Sequence, residues 1–464
     1  MNLNSHEFFL FFAVVFVLIR LAGPLAPVIL LISSYIFYAS WNVAYVPLLL
    51  VSTAVDFYCA RQISSLDNLL TRRAFLALSL AFNLGMLFYF KYASQLMGGF
   101  FAAPLIPIGL SFHTFQSMGY VLDVYLKKIT AEKSFLNQAN FISFFPQLIA
   151  GPIERASKLI PQLSRRDGYR ATTEQVYRGG YLIFLGLFMS LALAENLAPF
   201  SLSVREGLSA NAFVMGHEPV GWDFIFSFYT YPFTLYLRFA GYSYLAMGFA
   251  LLLGIELSAN FKYPFFSASM PEFWSRWHIS LSKWIRDYIF FPLSQNVRSD
   301  AGLYACIFVT TFVFAIWHEA SLGWLIAALI LASYSVGGHI VFRRRHESSV
   351  IGRIVGTLVT FHVFALAMVF VNNLPKDQSI AGLGQALVKV ADLDFSAPFE
   401  RHHFQIFKYI GVALILDAVN FAKKDIFGVL NLRPSFRIVM VSFMILFLFF
   451  NQAKESGLSM YFRM

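Results

Sequence analysis

Charge and cysteine are what this chain has least of. Charged residues make up 13% of its 464 positions, against roughly 25% in soluble domains. So little charge excludes the ordinary multi-domain soluble reading of a chain this long. The two cysteines, Cys59 and Cys306, sit in apolar segments, which excludes a disulfide framework and a cysteine-based metal site. No Walker A loop, G-x-S-x-G elbow or G-x-G-x-x-G after a strand is present, so ATP-driven transport and hydride transfer lack support. The HExxH zinc pattern is absent as well, because Leu322 stands where the second histidine would follow His318. No metal site is expected. With no repeat at a period of about 20–50 residues and no Gly/Ser-rich linker, the chain reads as a single integral-membrane domain over 1–464.

Apolar and aromatic residues fill the space that charge leaves. Hydrophobic residues reach 58% and aromatics 18%, with 54 Phe; the mean hydropathy is +0.64. That is an all-α polytopic membrane protein. The net charge of +10 belongs to cytoplasmic loops rich in Lys and Arg rather than to a nucleic-acid surface, and no nucleic-acid partner is expected. A bilayer core of ~30 Å needs about 20 apolar residues per helix. Crossings are expected at 8–20, 26–42, 44–60, 74–90, 104–126, 178–198, within 222–256 as one broken helix, and at 303–317, 322–342, 353–371, 406–422 and 438–450. That makes about 11–12 transmembrane helices. The first is read as retained, since no basic n-region or small-residue cleavage site accompanies it. Residues 139–152 and 270–293 are too short or too polar to cross, and read as re-entrant or interfacial segments. Basic clusters at 61–73, 127–133, 155–178, 343–353 and 423–437 are placed in the cytoplasm, which leaves both termini outside.

Ionisable groups inside apolar spans are candidates for function because they are expensive there. The spans hold Asp56, His113, Asp123, Glu195, His318, His362 and Asp417. For an isolated one, the plain alternative is pairing with a neighbour. His318 ends an apolar helix, between Trp317 and Glu319. A neutral imidazole there can take a proton from an alcohol, or merely pack against a backbone carbonyl; spacing leaves both open. In 271–293, Trp274, Trp277 and Trp284 alternate with Arg276, His278, Lys283, Arg286 and Asp287. That pattern suits either an interfacial amphipathic helix or the polar lining of a cavity for an anionic donor.

Five blocks then carry a resemblance: PIGLSFHTFQSMGYVLDVY (107–125), FISFFPQLIAGPIERASKLIPQL (141–163), FAGYSYLAMGFALLLGIELSANFKYPF (239–265), EFWSRWHISLSKWIRDYIFFPL (272–293) and IWHEASLGW (316–324). In these blocks the chain resembles the membrane-bound O-acyltransferase family, in its bacterial branch of alginate O-acetylation and teichoic-acid D-alanylation. The resemblance implies a ring of helices around a central funnel, with His318 as catalytic residue and His278 as a second signature position. Trp274, Arg276, Trp277, Ser280, Asp287, Trp317 and Glu319 would line the substrate channel. It implies no bound cofactor. The donor would be a thioester, acyl-CoA or the phosphopantetheine of an acyl carrier protein, presented from the cytoplasm, and the acceptor a hydroxyl at the outer face. An extracytoplasmic partner with a Ser nucleophile and membrane lipid complete the implied surroundings, in a bacterial inner membrane.

The terminal S-M-Y-F-R-M places Tyr461 three residues from the end. Related systems carry a similar aromatic ending, which makes Tyr461 a candidate acyl relay, although a tyrosine at a membrane interface is also ordinary. Three positions depart from the family pattern: Arg238 stands where an acidic residue is common, Tyr244 follows Ser243 where Asp or Met is common, and Glu319 follows His318 where glycine is common. The competing function class is a transporter or flippase of a lipid-linked sugar, which broken helices would suit but which the absence of paired repeats and the two histidine blocks argue against.

Overall fold

A computed structural model describes residues 1–93, 106–201, 221–342, 349–373, 396 and 401–451. Among them every regular element is helical, and ten stretches are long and apolar enough to cross a membrane. Each of the twelve expected crossings corresponds to a helix. Two of them account for the difference in number. His6–Ala39 is one unbroken apolar stretch of 34 residues, but the chain reverses at the turn Gly23–Leu25, where Gly23 takes φ +53. His6–Ala22 and Ala26–Ala39 thus pack side by side as the two expected helices. The expected crossing at 104–126 is the helix Leu110–Tyr125, only 16 residues long and buried along most of its length. At 1.5 Å per residue it spans about 24 Å, short of a bilayer core. The expected broken helix within 222–256 is instead continuous: Gly221–Leu252 runs for 32 residues through Pro232.

The chain divides into two compact units, one of residues 1–186 and 242–259, the other of 187–241 and 260–464. In the first unit a phenylalanine cluster ties separate helices together. Phe8 meets Phe37 edge-on at 5.4 Å and Phe249 at 4.9 Å, and Phe11 meets Phe145 at 5.5 Å. Gly179 and Gly248 let two helices approach closely, because a Cβ on Gly248 would stand 2.8 Å from the Gly179 carbonyl oxygen. Small residues at such crossings replace the hydrophobic drive that lipid removes. Asp56 is answered by the Ser79 hydroxyl at 2.6 Å and by the Asn83 amide at 2.9 Å, the structural pairing that an acidic residue in a span requires. The 139–152 stretch becomes the short helix Phe135–Ser143 followed by a buried non-helical segment.

The second unit holds both histidine blocks. Residues 270–293 form the helices Met270–Trp274 and Ile279–Ile285, a π-helical turn Arg286–Phe290, and the beginning of Phe291–Ser294. The helix Asp300–His318 starts where the Ser299 hydroxyl accepts from the Gly302 N–H, with Asp300 in the first turn favoured by the helix dipole. It stops at Glu319, whose backbone is extended and whose N–H still bonds the Ala315 carbonyl. Leu322–Phe342 follows after three residues. Interior and lipid-facing helices separate by burial. The span Ile225–Leu252 is 78% buried inside the protein, whereas Pro434–Asn451 is 11% buried.

Candidate active site

His278 occupies the break between the two short helices of the polar block. Its backbone lies in the left-handed region at φ +41, which a non-glycine residue adopts only when its surroundings hold it there. Two backbone bonds do so: Lys262 N–H to the Arg276 carbonyl and Ile279 N–H to the Asn260 carbonyl, both 2.9 Å. The imidazole is 1% exposed. It lies outside the ten candidate spans, and burial pushes its pKa down to about 3, so the ring is neutral. Phe239 meets it edge-on at 4.7 Å, and Nδ1 lies 3.2 Å from Asn260 Oδ1. Ser280 reaches the same oxygen through its N–H at 3.2 Å and its hydroxyl at 3.0 Å.

His318 ends its helix half-buried in a box of aromatic rings. It lies flat on Trp324, centroids 4.4 Å apart and planes 2° apart, while Phe314 and Trp317 meet it edge-on at 4.7 and 4.5 Å. Trp317 also faces the His278 ring at 6.4 Å. One indole therefore touches both imidazoles, although 40 positions separate the histidines in sequence. The three-residue loop 319–321 makes this possible by folding Trp324 back over the helix end, with the Ser321 hydroxyl facing the Trp324 N–H. An indole face is electron-rich and favours positive charge on a ring above it, which suits a base that becomes cationic as it takes a proton.

The other residues expected in the channel take distinct places. Trp274 meets Phe314 at 5.1 Å and so borders the His318 box. Trp277 is buried among Phe261, Phe273 and Phe364, its ring 5.0 Å from the last. Arg276 is held by Glu272 at 2.6 Å and the Phe266 carbonyl at 3.1 Å, with its guanidinium over Tyr263 and Phe421. It clamps the block from one side. Asp287 pairs with its neighbour Arg286 at 2.9 Å in the π-helical turn. Glu319 shapes the loop, its carbonyl accepting from the Ser321 N–H. Tyr461 lies outside the described residues. Asn260 and Trp324 are the site residues that sequence reasoning missed. Both stood inside the resembling blocks, but only their contacts set them apart.

Gly323 fixes how the Trp324 end is placed. A Cβ there would stand 2.4 Å from the Phe370 carbonyl oxygen, so the start of Leu322–Phe342 approaches the end of Val350–Asn373 only without a side chain. Gly323→Ala is expected to destabilise the protein by about 1–3 kcal/mol, the usual penalty of overpacking. A lower unfolding midpoint in detergent checks this; an unchanged midpoint would mean that the contact is not tight.

The sequence model of the membrane-bound O-acyltransferase family matches residues 35–370. Curated relatives include a probable alginate O-acetylase of Pseudomonas aeruginosa, 33% identical over 343 residues, covering 70% of this chain and 64% of the relative. A peptidoglycan O-acetyltransferase of Helicobacter pylori is 29% identical over 388 residues, 75% of this chain and 71% of its own length. A teichoic acid D-alanyltransferase of Bacillus subtilis is 27% identical over 183 residues, 39% and 44% of the two chains. The chain thus spans about two thirds of the length of the two O-acetylating relatives. Both histidines, the indole between them and the loop behind His318 fall inside the matched region: this chain belongs to the membrane-bound O-acyltransferase family.

Proposed function

We propose that this protein is a bacterial inner-membrane O-acyltransferase that modifies an exopolysaccharide or cell-envelope polymer. It takes an acyl group, acetyl ahead of D-alanyl, from a cytoplasmic thioester and delivers it to a hydroxyl at the outer face. The observation that carries this reading is the meeting of His278 and His318 on the single ring of Trp317. Relatives named for O-acetylation match more of the chain than those named for D-alanylation, which supports acetyl.

The chemistry needs little beyond a base and a dry, shaped site. A thioester carbonyl is already activated. His318 takes the proton from the acceptor hydroxyl as its oxygen attacks that carbonyl. The tetrahedral intermediate collapses with cleavage of the carbon–sulfur bond, and the thiolate recovers the proton from the imidazolium. Ester and free thiol are the products, so atoms and protons balance without a cofactor. The donor is acyl-CoA or an acyl carrier protein. A Ser-nucleophile partner outside the membrane, and Tyr461 as an intermediate acyl carrier, would complete delivery to the polymer.

Vesicles reconstituted with the full chain and supplied with a hydroxyl-bearing glycan as acceptor and acetyl-CoA or an acetylated acyl carrier protein as donor test the donor half. Thiol release that depends on the protein supports the reading. Absence of release with both donors, from protein shown to be folded, would return the lipid-linked sugar transporter as the better account.

A further inference from the structure

We infer that Asn260 is a positioning residue that locks His278 in its Nδ1–H tautomer, so that Nε2 of the second histidine accepts a hydrogen bond or proton rather than donating one. The inference deepens the acyl-transfer reading and rests on it for its catalytic meaning, but its structural content stands separately.

Three donors converge on one oxygen. The Ser280 backbone N–H lies 3.2 Å from Asn260 Oδ1, and a backbone N–H can only donate. The amide atom facing it is therefore the oxygen: a flipped amide would set donor against donor. The Ser280 hydroxyl, 3.0 Å away, has no preference of its own and donates to that oxygen. His278 Nδ1 lies 3.2 Å from the same atom, and an acceptor facing an acceptor would be repulsive. Nδ1 consequently carries the hydrogen, and in a neutral imidazole Nε2 then carries the lone pair. Burial of the ring keeps it neutral.

Asn260 is built for this task. It is 0% exposed, and its Nδ2 has no partner among the described residues, so its side chain bonds through Oδ1. Its own carbonyl accepts from the Ile279 N–H, which fixes the residue after His278 and helps to hold the left-handed φ of +41. One residue thus sets the backbone, the ring direction and the tautomer. The division of labour follows: His278 supplies an acceptor lone pair in a buried pocket, while His318, half-buried and stacked on Trp324, is the partner that cycles its proton. It also excludes His278 as the donor to a developing oxyanion.

The test is spectroscopic first. The full chain is labelled with ¹⁵N at histidine, reconstituted in lipid, and compared with His278→Asn, because asparagine tolerates a left-handed backbone. The difference spectrum isolates His278. Expected are a neutral Nδ1–H, bare-Nε2 ring in the wild type, the same tautomer in Asn260→Asp, and its loss to Nε2–H or a mixture in Asn260→Ala. In the thiol-release assay Asn260→Ala is expected to lose roughly 10²–10⁴-fold in turnover, as when a functional histidine loses the partner fixing its tautomer, and Asn260→Asp to recover most of it. An Nε2–H ring in the wild type, or an unchanged tautomer in Asn260→Ala, would overturn the inference. The expected spectra together with a wild type that transfers nothing would leave the tautomer standing and defeat the acyl-transfer reading instead.

Discussion

Replacing His318 with alanine lowers thiol release by about 10²–10⁴-fold, the share that a positioned general base contributes, and leaves the protein folded. The second half of this expectation follows from how the helix ends. The Glu319 N–H bonds the Ala315 carbonyl, a backbone cap that needs no imidazole. The side chain is half-buried, and its loss removes ring contacts with Phe314, Trp317 and Trp324 worth about 0.5–1.5 kcal/mol each in favourable cases. Activity should therefore fall far more than stability. Equal expression with unchanged turnover would remove His318 from the chemistry.

The second large effect lies in Arg238 and Glu195. Arg238 Nε and Nη2 each bond a different oxygen of Glu195 at 2.9 Å, and the two side chains are only 14% and 13% exposed. Such a bidentate pair holds its geometry well. Removing one partner strands a charge in an apolar interior, at a cost of about 3–5 kcal/mol, whereas replacing both by apolar residues of similar size is often close to neutral. Arg238→Met and Glu195→Met should each abolish or strongly reduce folded protein in the membrane, and the double variant should recover most of it. Denaturant midpoints for the four proteins check the cycle. A double variant as unstable as the singles would show that each residue acts through other neighbours.

Those two residues also show what a sequence can and cannot reveal. Arg238 stood out as a departure from the family pattern, and Glu195 as an acid within an apolar span, but the 43 positions between them gave no reason to join them. Hydropathy located the helices well because lipid demands long apolar stretches. It also located Leu110–Tyr125, a helix of 16 residues buried along most of its length, because a helix buried within protein looks as apolar as one facing lipid. His278 and His318 were legible from their blocks, whereas Asn260 and Trp324 were not. Their roles depend on a hydrogen-bond convergence and a ring stacking that periodicity does not encode. Arg276 read as a channel residue by charge, and its bonds to Glu272 and the Phe266 carbonyl show how much of that charge is spent on holding the block together.

The central claim, that this chain places acyl esters on an envelope or secreted polymer, is tested most directly by counting those esters. Cells lacking the gene are compared with cells restored by the wild-type chain or by His318→Ala at equal membrane abundance. Acids released from the glycans by mild alkali are then identified and quantified. The account predicts that the esters vanish on deletion, return with the wild type alone, and release acetate. Esters that persist in the deletion, or that His318→Ala restores in full, would contradict it.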